Sequence, residues 1–195
     1  MMNRKIILAS KSPRRKELIS RIISDFEIMA DDSEEKTDSG ITPEKTVKIL
    51  AMQKAENIAK KVSESALIIG ADTVVSIDGK IFGKPSDEED AKKMLQTLSG
   101  RENIVCTGIA VIDTASGKSA CDAVSTTVVF KKLTEDEILK YIRTGEPMDK
   151  AGAYGMQGLG SLFIKEIHGD YFNVIGLPLC RLGEMLQTDF NYKIL

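Results

Sequence analysis

The chain has 195 residues, 42% of them hydrophobic, with 27 basic and 29 acidic side chains and a formal net charge of −2. That is enough apolar material for a continuous core, and without a long basic block the charge offers no case for general nucleic-acid binding, although a local basic site for one small anion stays open. Cys106, Cys121 and Cys180 are odd in number, widely spaced and free of any C-x-x-C pair, which argues against a disulfide framework or a zinc knuckle and for a reducing compartment.

The basic start Met1-Met2-Asn3-Arg4-Lys5 is followed by only a short apolar run, Ile6 to Ala9. That is too short for a signal-peptide core, and nothing later approaches a membrane span, so the expected location is the cytoplasm. The same run reads as a buried strand that feeds Ser10-Lys11-Ser12-Pro13-Arg14-Arg15. Leu18, Ile19, Ile22 and Ile23 then recur at helical spacing, with Ser12 as N-cap and Pro13 at the first helical position. Phe26 to Ala30 suggests a second strand, and the acidic stretch from Asp31 to Gly40 a loop. Thr42-Pro43 opens a helix carrying Val47, Leu50, Ala51, Lys54, Ala55 and Ile58.

Leu67 to Val75 is the strongest strand, and Asp78-Gly79 a hairpin turn towards Ile81 and Phe82. Ser86-x-x-Glu89 reads as a capping box for a helix that stops at Gly100. Residues 103–113 and 119–130 predict two long strands joined at Ser116-Gly117. Thr134-x-x-Glu137 caps a further helix with Ile138, Tyr141 and Ile142 on its apolar side. A Gly-rich segment, 145–160, precedes a strand from Leu162 to Ile167, and Pro178 to Leu186 predicts the last helix. No linker or repeat interrupts residues 1–195, which read as one domain. Helical crossovers together with direct hairpins predict an α/β fold with a mixed sheet.

Three constellations could carry chemistry. In Ser12-Pro13-Arg14-Arg15, two arginines sit in the opening turn of a helix, against the sense of its macrodipole. The same placement gathers backbone N–H groups and guanidinium charge where a phosphate chain would bind, although spacing alone favours a surface pair beside an ordinary cap. Asp72 interrupts an apolar strand, where a carboxylate is costly unless paired. It could bind a divalent metal or accept a proton from water, or it could cap a neighbouring loop or pair with a lysine. The third is Asp149 to Gly160, whose glycines allow close approach to a ligand; Tyr154 and Gln157 could offer a stacking face and an amide for a base edge, or the tyrosine could belong to the core. Glu34 and Glu35 lie in an acidic run of the kind that is usually solvated, and Lys54 and Lys84 are not singled out by spacing. His168 reads as a turn residue, no nucleophile elbow accompanies it, and the cysteines read as core residues.

Taken together, Leu8-Ala9-Ser10-x-Ser12-Pro13-Arg14-Arg15, Gly70-Ala71-Asp72-Thr73-Val74-Val75, Gly83-Lys84-Pro85, the Leu98-Ser99-Gly100 helix end, the run Glu146 to Tyr154 and the run Gly169 to Pro178 resemble the Maf family of nucleotide pyrophosphatases along nearly the whole chain. The resemblance implies a mixed twisted sheet flanked by helices with a deep substrate cleft, and often a homodimer. It implies hydrolysis of a nucleoside triphosphate between the α- and β-phosphates. Asp72 matches the family's proton acceptor; Arg14, Thr73 and Gln157 match positions tied to substrate choice; Glu35, Lys54 and Lys84 align with further active-site groups. Ser12 and Arg15 fall in the same phosphate-binding motif.

The Ala153-Tyr154-x-x-Gln157 portion resembles the dTTP/UTP branch rather than the branch that prefers 7-methyl-GTP. On this reading Asp72 and Glu35 hold Mg²⁺ or Mn²⁺ with phosphate oxygens and waters, and Asp72 also takes or relays a proton, two roles that compete. A pyrophosphatase for 7-methyl-GTP or another modified purine is the alternative within enzymes. From another class, the alternative is a nucleotide-sensing regulator of septum formation, against which the intact set Arg14, Glu35, Asp72 and Lys84 argues.

Overall fold

The computed structural model describes residues 4–31, 33, 37 and 40–195. In chain order the elements are β1 (Lys5–Ala9), α1 (Pro13–Ser20), β2 (Glu27–Ile28), α2 (Pro43–Ala59), β3 (Ala66–Ile77), β4 (Lys80–Phe82), α3 (Glu88–Leu98), β5 (Glu102–Asp113), β6 (Ser119–Phe130), α4 (Glu135–Ile142), β7 (Ile164–His168), α5 (Tyr171–Ile175) and α6 (Leu179–Phe190). Among the described residues seven strands form one mixed sheet, ordered β2-β1-β3-β5-β6-β7 with β4 on β3. β1 runs parallel to β2 and β3, whereas β4 is antiparallel to β3 and β7 to β6. Helices flank the sheet, as the alternation of apolar runs and helical patterns requires. No described helix is long and apolar enough to cross a membrane.

The chain divides into two compact units. The first comprises Met1–Asp72, Thr107–Val124 and Gly176–Leu195. β1 is buried from Ile6 to Ala9, as expected of a strand paired on both edges. α2 lies against β3 and β5 at a spacing that only glycine permits. A Cβ on Gly70 would come within 2.2 Å of the Ala51 carbonyl oxygen, and one on Gly108 within 2.2 Å of the Val47 carbonyl oxygen. The facing helix positions, Ala51 and Ala55, are themselves small and fully buried, and they share a core with Ile7, Ala9, Ile58 and Ile68.

The second unit comprises Thr73–Cys106 and Ser125–Ile175. Its core gathers Val75 and Ile77 with Leu95, Leu98, Phe130, Tyr141, Tyr154 and Phe163. The α4 capping box forms as its sequence demands, with Thr134 and Glu137 each satisfying the other's backbone N–H. The box expected at Ser86 does not form, and the N-cap falls one residue later. Asp87 is the N-cap, its carboxylate accepting from the Asp90 N–H at 2.7 Å, while the Asp90 carboxylate accepts from the Ser86 N–H at 2.9 Å. Aspartate caps as well as serine does, and a short carboxylate at 90 is available to reciprocate, so Glu89 is not needed.

Other boundaries shift for identifiable reasons. β3 continues past Val75 to Ile77, with Asp72 in mid-strand. The Gly-rich segment coils into 3₁₀ turns at Glu146–Asp149, Ala151–Ala153 and Leu159–Phe163, so β7 begins only at Ile164. α1 stops at Ser20, β2 spans only Glu27–Ile28, and the unforeseen α5 covers Tyr171–Ile175. α6 runs past Leu186 to Phe190, closed by Asn191 in the left-handed region at φ 50°.

Gly70→Ala is expected to destabilise the protein by roughly 1–3 kcal/mol or more, because the new methyl meets helix backbone that cannot move aside; the denaturant midpoint measures this. Thr134→Ala is expected to cost about 1 kcal/mol and to flatten the acid limb of stability. The Lys131 ammonium and both hydrogen bonds from Thr134 hold the Glu137 carboxyl down to about 2. A depressed carboxyl stabilises the fold above its unfolded value and loses that contribution as pH falls through the folded one. Wild-type stability should therefore rise more steeply than the variant's between those two values, as read from midpoints across acid pH.

Candidate functional site

In the first unit the turn from β1 into α1 is held by its own serines. Ser12 is the N-cap, and its hydroxyl accepts a long 3.5 Å bond from the Arg15 N–H, with Pro13 at the first helical position. The Ser12 N–H donates to the Ser10 hydroxyl at 3.2 Å, and the Arg15 guanidinium donates to that hydroxyl at 3.4 Å. Arg15 Nε also donates to the Gly176 carbonyl at 2.8 Å, tying the turn to the segment that precedes α6. Ser10, nearly buried here, did not stand out in the sequence. Its signals are the S-x-S spacing ahead of the proline and its place in the Leu8 to Arg15 motif.

The first turns of α2, α3 and α4 carry acids, which suit the positive end of a helix; that of α1 carries Arg14 and Arg15 and no acid. Such a start concentrates positive charge where an anion would sit.

Strand register brings this turn to Asp72. The last pairing between β1 and β3 is Ala9 with Gly70, so the chain leaves β1 at Ser10 level with Ala71 and Asp72. The strands are parallel, and the site therefore lies beyond the carboxyl end of β1, the usual place for a ligand in an open α/β sheet. Along β3 every residue is buried except Asp72 and Thr73. Successive strand residues face opposite ways, so Asp72 shares the face of Ile68 and Gly70, against α2. Lys54, three residues beyond Ala51, forms an ion pair with Asp72 Oδ1. The two side chains are 22% and 13% exposed, and the pairing offsets the desolvation that an isolated carboxylate would suffer there. The lysine partner anticipated for Asp72 is thus Lys54.

Glu34 and Glu35 lie outside the described residues. Among the described residues no group of three or more His, Cys, Asp or Glu side chains is arranged to hold a metal ion. One carboxylate with an oxygen committed to lysine does not make a cage. It does fit the way Mg²⁺ commonly binds, through one or two carboxylates with phosphate oxygens and water filling the shell.

The second unit holds the remaining residues. Thr73, half-buried, follows Asp72 on β3 and faces the other way. Lys84 is exposed just after β4, in a segment fastened by the Gly152 N–H donating to the Gly83 carbonyl at 3.0 Å. Gln157 is exposed on the turn between two 3₁₀ segments. Tyr154 offers no stacking face. It is buried edge-on to Phe130 with centroids 4.7 Å apart, and its hydroxyl donates to Asn103 Oδ1 at 3.0 Å. Burial pushes its hydroxyl pKa well above the ordinary tyrosine value.

The sequence places Glu146 in a motif and gives it no partner. Its carboxylate in fact takes the Tyr141 hydroxyl and the N–H groups of Leu159 and Gly160, contacts that no local pattern announces. His168 ends β7 rather than forming the turn, which falls on Gly169 at φ 130°. Cys106 is buried as expected, but Cys121 is half-buried and Cys180 exposed.

The family model for Maf-like protein matches residues 5–189. A dTTP/UTP pyrophosphatase of Alkaliphilus metalliredigens is 49% identical over 191 residues, covering 98% of this chain and 99% of that protein. A dTTP/UTP pyrophosphatase of Clostridium beijerinckii is 50% identical over 184 residues, covering 94% and 98%. Among solved structures, a nucleoside-triphosphatase / dITP/XTP pyrophosphatase from Mycobacterium abscessus aligns with a TM-score of 0.44 at 17% identity, over 66% of this chain and 75% of that one; a likeness of that size bears no weight.

Lys54→Met is expected to cost on the order of 2–3 kcal/mol, less than a fully buried pair would, because it strands the Asp72 charge. Adding Asp72→Asn should recover part of that loss. A double-mutant cycle in denaturant measures the coupling, and additive losses would show that the pair contributes no interaction.

Proposed function

The chain belongs to the Maf family, and from that premise we propose that it hydrolyses dTTP and UTP to the nucleoside monophosphate and pyrophosphate by water attack at the α-phosphorus. Its half-identical relatives with that activity in their names support the substrate class. The observation that carries the chemistry is the strand register, which puts Asp72 just beyond the last β1–β3 pair, where the chain turns from β1 towards α1 and its two arginines. That order along the chain supports reading Asp72 as the proton acceptor and the turn as the cradle for a phosphate chain.

Asp72 takes or relays the proton of the attacking water, and Lys54 holds it in position. The N–H groups at the start of α1, with Ser12, Arg14 and Arg15, receive phosphate oxygens. Arg15 acts from a fixed position, since Gly176 and Ser10 already orient its guanidinium. Lys54 and Lys84 contribute positive charge towards the triphosphate and the leaving pyrophosphate. Bound by Asp72 and Glu35 together with phosphate oxygens, Mg²⁺ or Mn²⁺ would neutralise charge and acidify water. A carboxylate on a metal is a weaker base, so Asp72 does not serve both roles at full strength.

Gln157 reads the O4/N3 edge of the pyrimidine, and Thr73 supports that pocket. Uracil and thymine share this edge, whereas cytosine presents an amino donor at position 4 and binds worse. On the same reading residues 1–195 work as a single catalytic domain in the cytoplasm, as a homodimer, with a nucleoside triphosphate rather than nucleic acid or membrane as partner.

Pyrophosphate release from dTTP, UTP, CTP, GTP and 7-methyl-GTP with Mg²⁺ or Mn²⁺ tests the reading. Turnover should be confined largely to dTTP and UTP, and Asp72→Asn should lower it by roughly 10²–10⁴-fold. Preference for 7-methyl-GTP would overturn the assignment of Gln157 while leaving the chemistry. Tight binding without turnover, unaffected by Asp72→Asn, would favour a sensor.

A further inference from the structure

The Gly-rich turn that carries Gln157 is stapled at both feet. At one foot the Gly155 N–H donates to the Tyr141 hydroxyl at 3.1 Å. At the other, the Leu159 N–H donates to Glu146 Oε2 at 2.9 Å and the Gly160 N–H to Oε1 at 3.2 Å. The two anchors are joined, because the Tyr141 hydroxyl donates to Glu146 Oε1 at 2.9 Å. Tyr141 is itself fixed in the core, edge-on to Phe163 with centroids 4.9 Å apart. The glycines exist to let these groups in. A Cβ on Gly158 would fall 2.4 Å from Glu146 Oε1, and one on Gly160 would fall 2.7 Å from the Tyr141 hydroxyl. Gly155 and Gly160 are buried while Gln157, Gly158 and Leu159 are exposed, so buried feet present an exposed tip.

The contacts also dictate the residue type. Three donors converge on the Glu146 side chain, and only a carboxylate accepts at both oxygens. Burial pushes its pKa up, but the Leu159 and Gly160 N–H groups and the Tyr141 hydroxyl outweigh this and hold the carboxyl below its ordinary value.

We propose that Glu146, braced by Tyr141, is a positioning residue for nucleobase selection: it fixes the turn on which Gln157 meets the base. The proposal rests on the reading of Gln157 given above. A glutamine at 146 has the same shape but turns an N–H₂ group towards a backbone N–H, so one foot of the staple opens. The amide of Gln157 then samples several positions, and its advantage for uracil over cytosine shrinks.

The test compares kcat and KM for UTP and CTP in wild type, Glu146→Gln, Tyr141→Phe, Gln157→Ala and the double variant Glu146→Gln/Gln157→Ala, with hydrogen exchange at Leu159 and Gly160. Glu146→Gln and Tyr141→Phe should each lower the UTP:CTP ratio of kcat/KM on the order of tenfold, the size of one misplaced hydrogen bond in a specificity site, mainly through the KM for UTP. In Glu146→Gln the two amides should exchange faster, and in the Gln157→Ala background the substitution should add nothing to the loss of discrimination. Tyr141→Phe decides the matter should Glu146→Gln fail to fold. An unchanged ratio in Glu146→Gln, with discrimination lost in Gln157→Ala, would overturn the positioning role and leave the base reading standing. Equal losses for UTP and CTP, additive with Gln157→Ala, would also overturn it, since they mark general damage. If Gln157→Ala itself keeps the ratio, the base reading falls and the proposal with it.

Discussion

The contact on which the first unit depends is backbone against backbone: α2 rests on β3 so closely that Gly70 has no room for a side chain beneath the Ala51 carbonyl. Helix and strand can meet at that distance only where both present small residues, which Gly70, Ala51 and Ala55 do. The close approach fixes the helix in azimuth and in height. Lys54, on the same face of α2, then reaches Asp72, two residues beyond Gly70. A buried charge pair of this kind adds little net stability. What it provides is a carboxylate held in one orientation within a strand whose other residues, Thr73 apart, are buried.

The same strand sets the second feature of the unit. Parallel pairing of β1 with β3 ends at Ala9 and Gly70, so the turn into α1 emerges at the height of Asp72. That turn uses its side chains on itself: Ser10, Ser12 and Arg15 bond to one another and to Gly176. A loop already fully braced gives up little conformational entropy on binding a phosphate chain. Two arginines at a helix start would be a mild liability in an ordinary helix, and they become an asset when an anion occupies the position.

In the second unit a different device does the same kind of work. The segment after α4 has no regular ladder to satisfy its backbone, and 3₁₀ turns satisfy only part of it. The Glu146 carboxylate and the Tyr141 hydroxyl supply the missing partners. Their approach, joined at position 160 by the Gly155 backbone, leaves no room for side chains at positions 158 and 160, so the glycine spacing there records a packing constraint rather than flexibility.

Patterns carried by neighbouring residues were legible in the sequence alone. The alternation of strands and helices, the Ser12-Pro13 start, the Thr134–Glu137 box, the stop at Gly100 and the order of the family motifs all depend on contacts within a few positions, which local composition encodes. Tertiary structure decided the rest. Tyr154 became a core residue because Phe130 and Asn103 enclose it. Asp72 found Lys54, Arg15 found Gly176, and Glu146 found the far side of its own loop. Each of these partners lies from 13 to 161 positions away in the chain, and what joins them is the height and azimuth at which packed elements meet, a quantity that no local run of residues contains.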